Sequence, residues 1–133
     1  MRVVVDTNVF VSSFFGGNPR KIIELWKSGR IVLCLSTPIM DEYIEVLQRM
    51  GLLNEPELEQ LINLFAHGFN CLFTATTPRL QIVDKDPEDD MFIECAVALN
   101  AKWIIPGDKA LQDIQKYMDI QIVSPKRFLE IAL

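Results

Sequence analysis

Four carboxylates stand where one fold would gather them. Asp6 closes the β-branched run Val3-Val4-Val5, and Asp108 follows Trp103-Ile104-Ile105 through Pro106-Gly107. Glu42 lies in the second turn of a helix opened by Ser36-Thr37-Pro38, and Asp90 in the first turn of a helix opened by Asp86-Pro87. Each is near the C-terminal end of an expected strand or the helix start that follows it, which predicts convergence on one cleft. Four carboxylates in a partly desolvated cleft repel strongly, so the arrangement makes sense around a divalent cation. An all-oxygen ligand set selects Mg²⁺ or Mn²⁺ over zinc. Such a centre suits phosphodiester hydrolysis, because the metal activates water and steadies the phosphate and no nucleophilic side chain is required. The sequence has no Gly-x-Ser-x-Gly elbow, no Walker loop, no Gly-x-Gly-x-x-Gly after Asp6 and a single histidine, His67.

The elements that must position these acids follow from the apolar pattern. Val3–Val5, Ile31–Leu35, Trp103–Ile105 and Ile120–Val123 read as strands buried on both faces, with Cys71–Phe73 and Leu80–Val83 as shorter candidates. Between them come helices with recognisable starts. Asn18-Pro19 opens one that stops at Gly29, Ser36-Thr37-Pro38 one carrying Ile39, Tyr43, Leu47 and Met50 inward, and Asn54-Glu55-Pro56 one that ends near Gly68. Asp86-Pro87 opens a helix through Leu99, Leu111–Met118 is expected as a helix, and Ser124-Pro125 caps the last. The alternation predicts an α/β fold with a central, mostly parallel sheet covered by helices on both faces, and ligands at the strand C-terminal edge.

A chain of 133 residues fits one domain over positions 1–133, and 50% hydrophobic residues suffice for a core. Thirteen Lys and Arg against eighteen Asp and Glu give a net charge of −5, which argues against an architectural nucleic-acid binder working by bulk positive charge. Cys34, Cys71 and Cys95 sit among apolar neighbours without disulfide or zinc spacing, the pattern of reduced thiols in a cytoplasmic protein. No stretch approaches the roughly 18 unbroken apolar residues of a membrane helix, and none reads as a signal peptide.

Four segments in register carry a family resemblance: Asp6-Thr7-Asn8-Val9, Ser36-Thr37-Pro38 leading to Glu42, Asp86-Pro87-Glu88-Asp89-Asp90-Met91-Phe92 with Ala96, and Gly107-Asp108-Lys109-Ala110-Leu111. The sequence resembles the PIN domain over essentially its whole length, and more narrowly the small VapC-like toxins of toxin–antitoxin pairs. The resemblance implies a three-layer α/β/α sandwich and a Mg²⁺- or Mn²⁺-dependent ribonuclease, with Asp6, Glu42, Asp90 and Asp108 as the catalytic and metal-binding cluster. It further implies that Asn8 or Thr7 orients Asp6 or the metal water, and that the protein forms a homodimer silenced by a small antitoxin. Many relatives carry Ser or Thr where this chain has Pro106, which removes one hydroxyl beside Asp108.

Periodicity alone barely separates Glu42 from Asp41 and Glu45 on its helix, and the family register selects it. Asp89 is the alternative to Asp90, since an acidic helix N-terminus accounts for either. Around the four ligands the expected outer contacts are Thr7, Asn8, Asp89 and Glu94. Arg20, Lys21 and Lys109 are the candidates to grip RNA phosphate. Two other readings compete with the nuclease. An aspartyl phosphatase needs a second Asp where Asn8 stands, and a phospho-receiver needs its acceptor after a middle strand, where Leu35 leads into Ser36. A non-catalytic PIN-like module that binds a protein partner would leave the acids idle.

Overall fold

The computed structural model describes residues 1–133. Six strands, β1 (Arg2–Val5), β2 (Val32–Ser36), β3 (Cys71–Thr74), β4 (Trp103–Ile105), β5 (Lys116–Tyr117) and β6 (Ile120–Ile122), form one sheet in the order β3-β2-β1-β4-β6-β5. All neighbours pair parallel except β5 with β6. Seven helices accompany them: α1 (Thr7–Ser12), α2 (Gly17–Lys27), α3 (Thr37–Arg49), α4 (Pro56–Ala66), α5 (Asp90–Ala98), α6 (Lys109–Gln112) and α7 (Pro125–Ala132). Short 3₁₀ turns at Ser13–Phe15 and Pro87–Asp89 precede α2 and α5. The protein is therefore α/β with a mostly parallel central sheet.

Right-handed crossovers put the connections β1→β2 and β2→β3 on one face of the sheet and β3→β4 and β4→β6 on the other, giving three layers. The last helix, α7, returns to pack on α2, whereas α5 lies across β1, β2 and β4. Successive strands run outward from β1 in one direction, and the chain then resumes at β4 on the other side of β1. A crevice opens at such a reversal, beyond the strand C-termini. Val3, Val4 and Val5 at the centre of the sheet are fully buried within one core of 32 residues, in keeping with an apolar run covered on both faces.

Caps set the helix starts. Ser36 Oγ accepts from the Ile39 N–H at the head of α3, and Ser124 Oγ from the Arg127 N–H at the head of α7, each with proline in the first turn. The apolar side of α3 that carries Ile39, Tyr43 and Leu47 is buried as its period requires.

Three expectations need correction. Leu80–Val83 is not a strand: its amides bond to side-chain carboxylates instead of a neighbouring strand. The expected helix over Leu111–Met118 lasts one turn, because Gln115 and Met118 take positive φ and turn the chain into the β5–β6 hairpin. Residues 7–12, rich in β-branched types, form α1, which the pattern did not announce. Cys34 and Cys95 are buried, Cys71 is half-buried, and all three are free thiols. No helix is long and apolar enough to cross a membrane.

Candidate metal centre

The centre is built where β1 and β4 end side by side. Val5 is in register with Ile105, and the Asp6 N–H donates to the Ile105 carbonyl at 3.0 Å, so the residues after both strands emerge together. Tyr43 from α3, stacked on Phe10 at 4.2 Å, donates its hydroxyl to the Val5 carbonyl and braces the end of β1 from below. The periodic pattern marked Tyr43 only as a core residue. Its role just beneath Asp6 has no separate signal in the sequence.

Asp6 is held by two backbone donors. Its Oδ1 accepts from the Asn8 N–H at 2.9 Å, capping α1, and its Oδ2 accepts from the Gly107 N–H at 2.9 Å. The second bond requires glycine: a Cβ at position 107 would stand 2.6 Å from the Asn8 Cβ and 3.2 Å from Asp6 Oδ1. Asp108 caps the one-turn α6, its Oδ1 accepting from the Leu111 N–H at 2.8 Å. Asp89, the last residue of the 3₁₀ turn before α5, completes the group. One carboxylate oxygen from each of Asp6, Asp89 and Asp108 lies within 4.8 Å of the other two.

The electrostatics of this group are unfavourable without a cation. Burial pushes Asp6 up to about 6; the two backbone donors offset part of this, and the charges of Asp108 and Glu42 add to it. Asp89 is also raised well above the ordinary carboxylate range, first by desolvation, then by Asp108, Asp6 and Asp86. Its Oδ2 is buried and has no hydrogen-bond partner, the kind of orphaned acceptor that folded proteins rarely leave. Three convergent carboxylates, one of which carries an orphaned oxygen, fit a small hard divalent cation.

Glu42 borders the group without joining it. The Thr7 hydroxyl donates to Glu42 Oε2 at 2.5 Å, tying α1 to α3, and the carboxylate adds to the negative field at Asp6. Thr7 thus reaches Glu42, while Asn8 touches Asp6 through its main chain and leaves its side chain exposed.

The structure places Asp89 in the acidic group and directs Asp90 elsewhere, the reverse of the assignment drawn from the family pattern. Asp90 Oδ1 accepts from the N–H groups of Ile82 (3.0 Å) and Val83 (2.8 Å). Glu94, one turn on, accepts from the Leu80 N–H at 2.8 Å, so it too holds the 80–83 segment and does not touch the centre. The physical reason is the 80–83 segment, whose free amides take up one Asp90 oxygen, while Asp89, at the end of the 3₁₀ turn, has no such partner. The acid-rich run of residues 84–90 contained the alternative, but not the segment that engages Asp90.

The cations divide as well. Arg20 donates to the Ser13 and Phe14 carbonyls at 3.0 and 2.7 Å and pairs with Glu57 at 3.3 Å, so its guanidinium pins the 3₁₀ turn after α1 to α2 and α4. Lys21 and Lys109 are exposed, the latter immediately after Asp108. His67 caps α4, its Nδ1 lying 2.7 Å from the Asn63 carbonyl, and Trp26 is fully buried in the core.

The family model described as PIN domain matches residues 2–110, which contain every residue of the centre. The uncharacterized protein MJ1680 of Methanocaldococcus jannaschii is 31% identical over an alignment covering 98% of this chain and 90% of its own. A match across most of the sequence has one reading: the chain belongs to the PIN domain family.

Proposed function

We propose that the protein is a Mg²⁺- or Mn²⁺-dependent endoribonuclease and the toxin of a toxin–antitoxin pair. PIN domains are generally nucleases that use divalent metals. The observation that carries the reading for this chain is Asp89, whose carboxylate converges with those of Asp6 and Asp108 and whose Oδ2 is buried without a hydrogen-bond partner. In this reading Asp6, Asp89 and Asp108 hold the cation, with Glu42 at the margin and Asp90 in a supporting part through the 80–83 segment. The cation, when bound, activates water and offsets the charge of the phosphodiester.

The chain's own contribution is positioning. The Asn8 and Gly107 amides fix both Asp6 oxygens, and the Leu111 amide fixes one oxygen of Asp108. Ligands held before the cation arrives need no reordering when it does. Glu42 is held by Thr7 at the margin of the centre, near enough for its charge to be felt at Asp6, and in this reading it accepts a proton from water. With a net charge of −5, binding leans on the metal and on local cations such as Lys21 and Lys109.

Purified protein incubated with mixed RNAs should cleave them with Mn²⁺ or Mg²⁺, stop on adding EDTA, and lose activity by at least about 100-fold in Asp6→Asn. Cleavage that survives Asp6→Asn overturns the assignment. Asp89→Asn should be as inactive as Asp6→Asn, whereas Asp90→Asn should lose activity only in proportion to its folded fraction.

An apolar groove of about 420 Å³ between α3 and α4, with Ile44 and Ile62 about half exposed on its walls, supports a protein partner, either the antitoxin or a second copy of the chain. Sedimentation of Ile44→Glu/Ile62→Glu beside the parent tests the second copy. A dimer that persists unweakened in the double variant excludes this groove as its interface.

A further inference from the structure

Two polar clefts flank the acidic group, and their linings differ in chemistry. On the Glu42 side a cleft of about 450 Å³ is walled by Asp41, Glu42, Glu45 and Glu88, with Arg49 its single cation. A polyanion is repelled there. On the other side a crevice of about 310 Å³ has no charged side chain at all: Asn8, Ser12 and Gln112 supply its polar groups, and Pro19, Pro106 and Pro125 its apolar walls. Its volume is at the lower end for a small-molecule site.

From this lining we propose that the crevice is a nucleobase pocket, which selects the nucleotide lying next to the scissile phosphate. The proposal rests on the nuclease reading above and adds a determinant of substrate choice. Three features carry it. Side-chain amides present a donor and an acceptor together, the pattern that reads base edges, and a hydroxyl adapts to either partner. All three polar side chains are exposed and none is used in a hydrogen bond within the protein, so their capacity is available to a ligand. The crevice also adjoins the acidic group directly, since its wall residues Asn8 and Gly107 are the two whose backbone N–H groups hold Asp6 at 2.9 Å. A base seated there rests against the two residues that hold Asp6, beside the centre. Single-stranded or looped RNA, whose bases can be splayed outward, is the form that fits.

This also gives a use to Pro106. Here that residue is buried and contributes an apolar wall to the crevice.

The test uses the full chain with Mn²⁺ and an RNA pool randomised over one segment, cleavage ends being read by sequencing. The expected result is a base preference at one position adjoining the cut, which Gln112→Ala reduces about tenfold while preferences at other positions stay as they were. If the parent cuts, and Gln112→Ala and Ser12→Ala leave the preference at every position unchanged, the pocket is overturned. If the parent cuts no RNA, the nuclease reading fails and the pocket is judged by binding alone. The metal-free protein is then titrated with each nucleoside 5′-monophosphate and with ribose 5-phosphate, following the side-chain amide resonances of Asn8 and Gln112. Shifts that differ between bases sustain the pocket, and shifts absent or identical to those from ribose 5-phosphate overturn it.

Discussion

Asp89 and Asp90 are consecutive, both buried, and set in opposite surroundings. Asp90 turns toward the 80–83 segment, where two backbone N–H groups meet one of its oxygens. Asp89 turns toward Asp6 and Asp108, where its Oδ2 meets nothing and its neighbours repel it. Burial by itself therefore says little about what a carboxylate does. An acid whose charge is matched by fixed donors holds the fold together, and one left unmatched among other acids is a cost the fold carries for a ligand. Glu94 belongs with Asp90 in this division, through the Leu80 amide.

The largest effect expected from breaking this contrast is on the matched side. Asp90→Ala strands two amides and removes two charge-assisted bonds, and should lower unfolding free energy by about 3 to 4 kcal/mol in a urea titration. Asp90→Asn keeps an acceptor oxygen and should lose less than half of that. A loss below about 1 kcal/mol in Asp90→Ala would mean that the strap over residues 80–83 carries little stability.

On the unmatched side the sign reverses. Asp6 binds its proton more tightly in the folded state, at about 6, than in the unfolded chain at 3.8. Its contribution is therefore fully present below the unfolded value and is lost as pH rises through about 6, at most about 3 kcal/mol. Asp89 follows the same sign over a wider window, because burial and its acidic neighbours raise it from 3.8 to about 8. In EDTA the gap in melting temperature between the parent and Asp89→Asn should be widest at pH 8 and above, with the variant the more stable by about 1 to 2 kcal/mol, and should close toward pH 4. Added Mn²⁺ should stabilise the parent and leave the variant unmoved. An Asp89→Asn protein less stable than the parent in EDTA at pH 8 would place that acid with Asp90 among the structural ones.

Much of this was legible in the sequence, and particular residues show where reading stopped. Val3–Val5 ending in Asp6, and Trp103–Ile105 leading through Pro106-Gly107 to Asp108, marked the two strand ends at which the structure builds the centre, because a doubly covered strand has an unbroken apolar signature. Ser36 and Ser124 marked helix starts through their hydroxyls. Leu80–Val83 looked like a strand because its residue types suit one. Its amides instead find partners on α5, a choice that depends on contacts between segments and leaves no trace in local composition. The choice between Asp89 and Asp90 rested on the family register, since an acidic helix N-terminus accounts for either, and what separates them in the structure is the contact of Asp90 with a distant segment. Arg20 looked like a free cation, but its partners are carbonyls of a turn that had not been foreseen.

The pairing of β1 with β4 joins segments about a hundred positions apart, while β1, β2 and β3 pair within the first 74 residues. A chain still being synthesised can thus lay down half its sheet while Asp6 still lacks the Gly107 donor and Asp89 and Asp108 are not yet made. The centre comes into existence late, in the step that docks the fourth strand against the first. Whatever chemistry the three acids support is withheld from every shorter, partly folded form of the molecule.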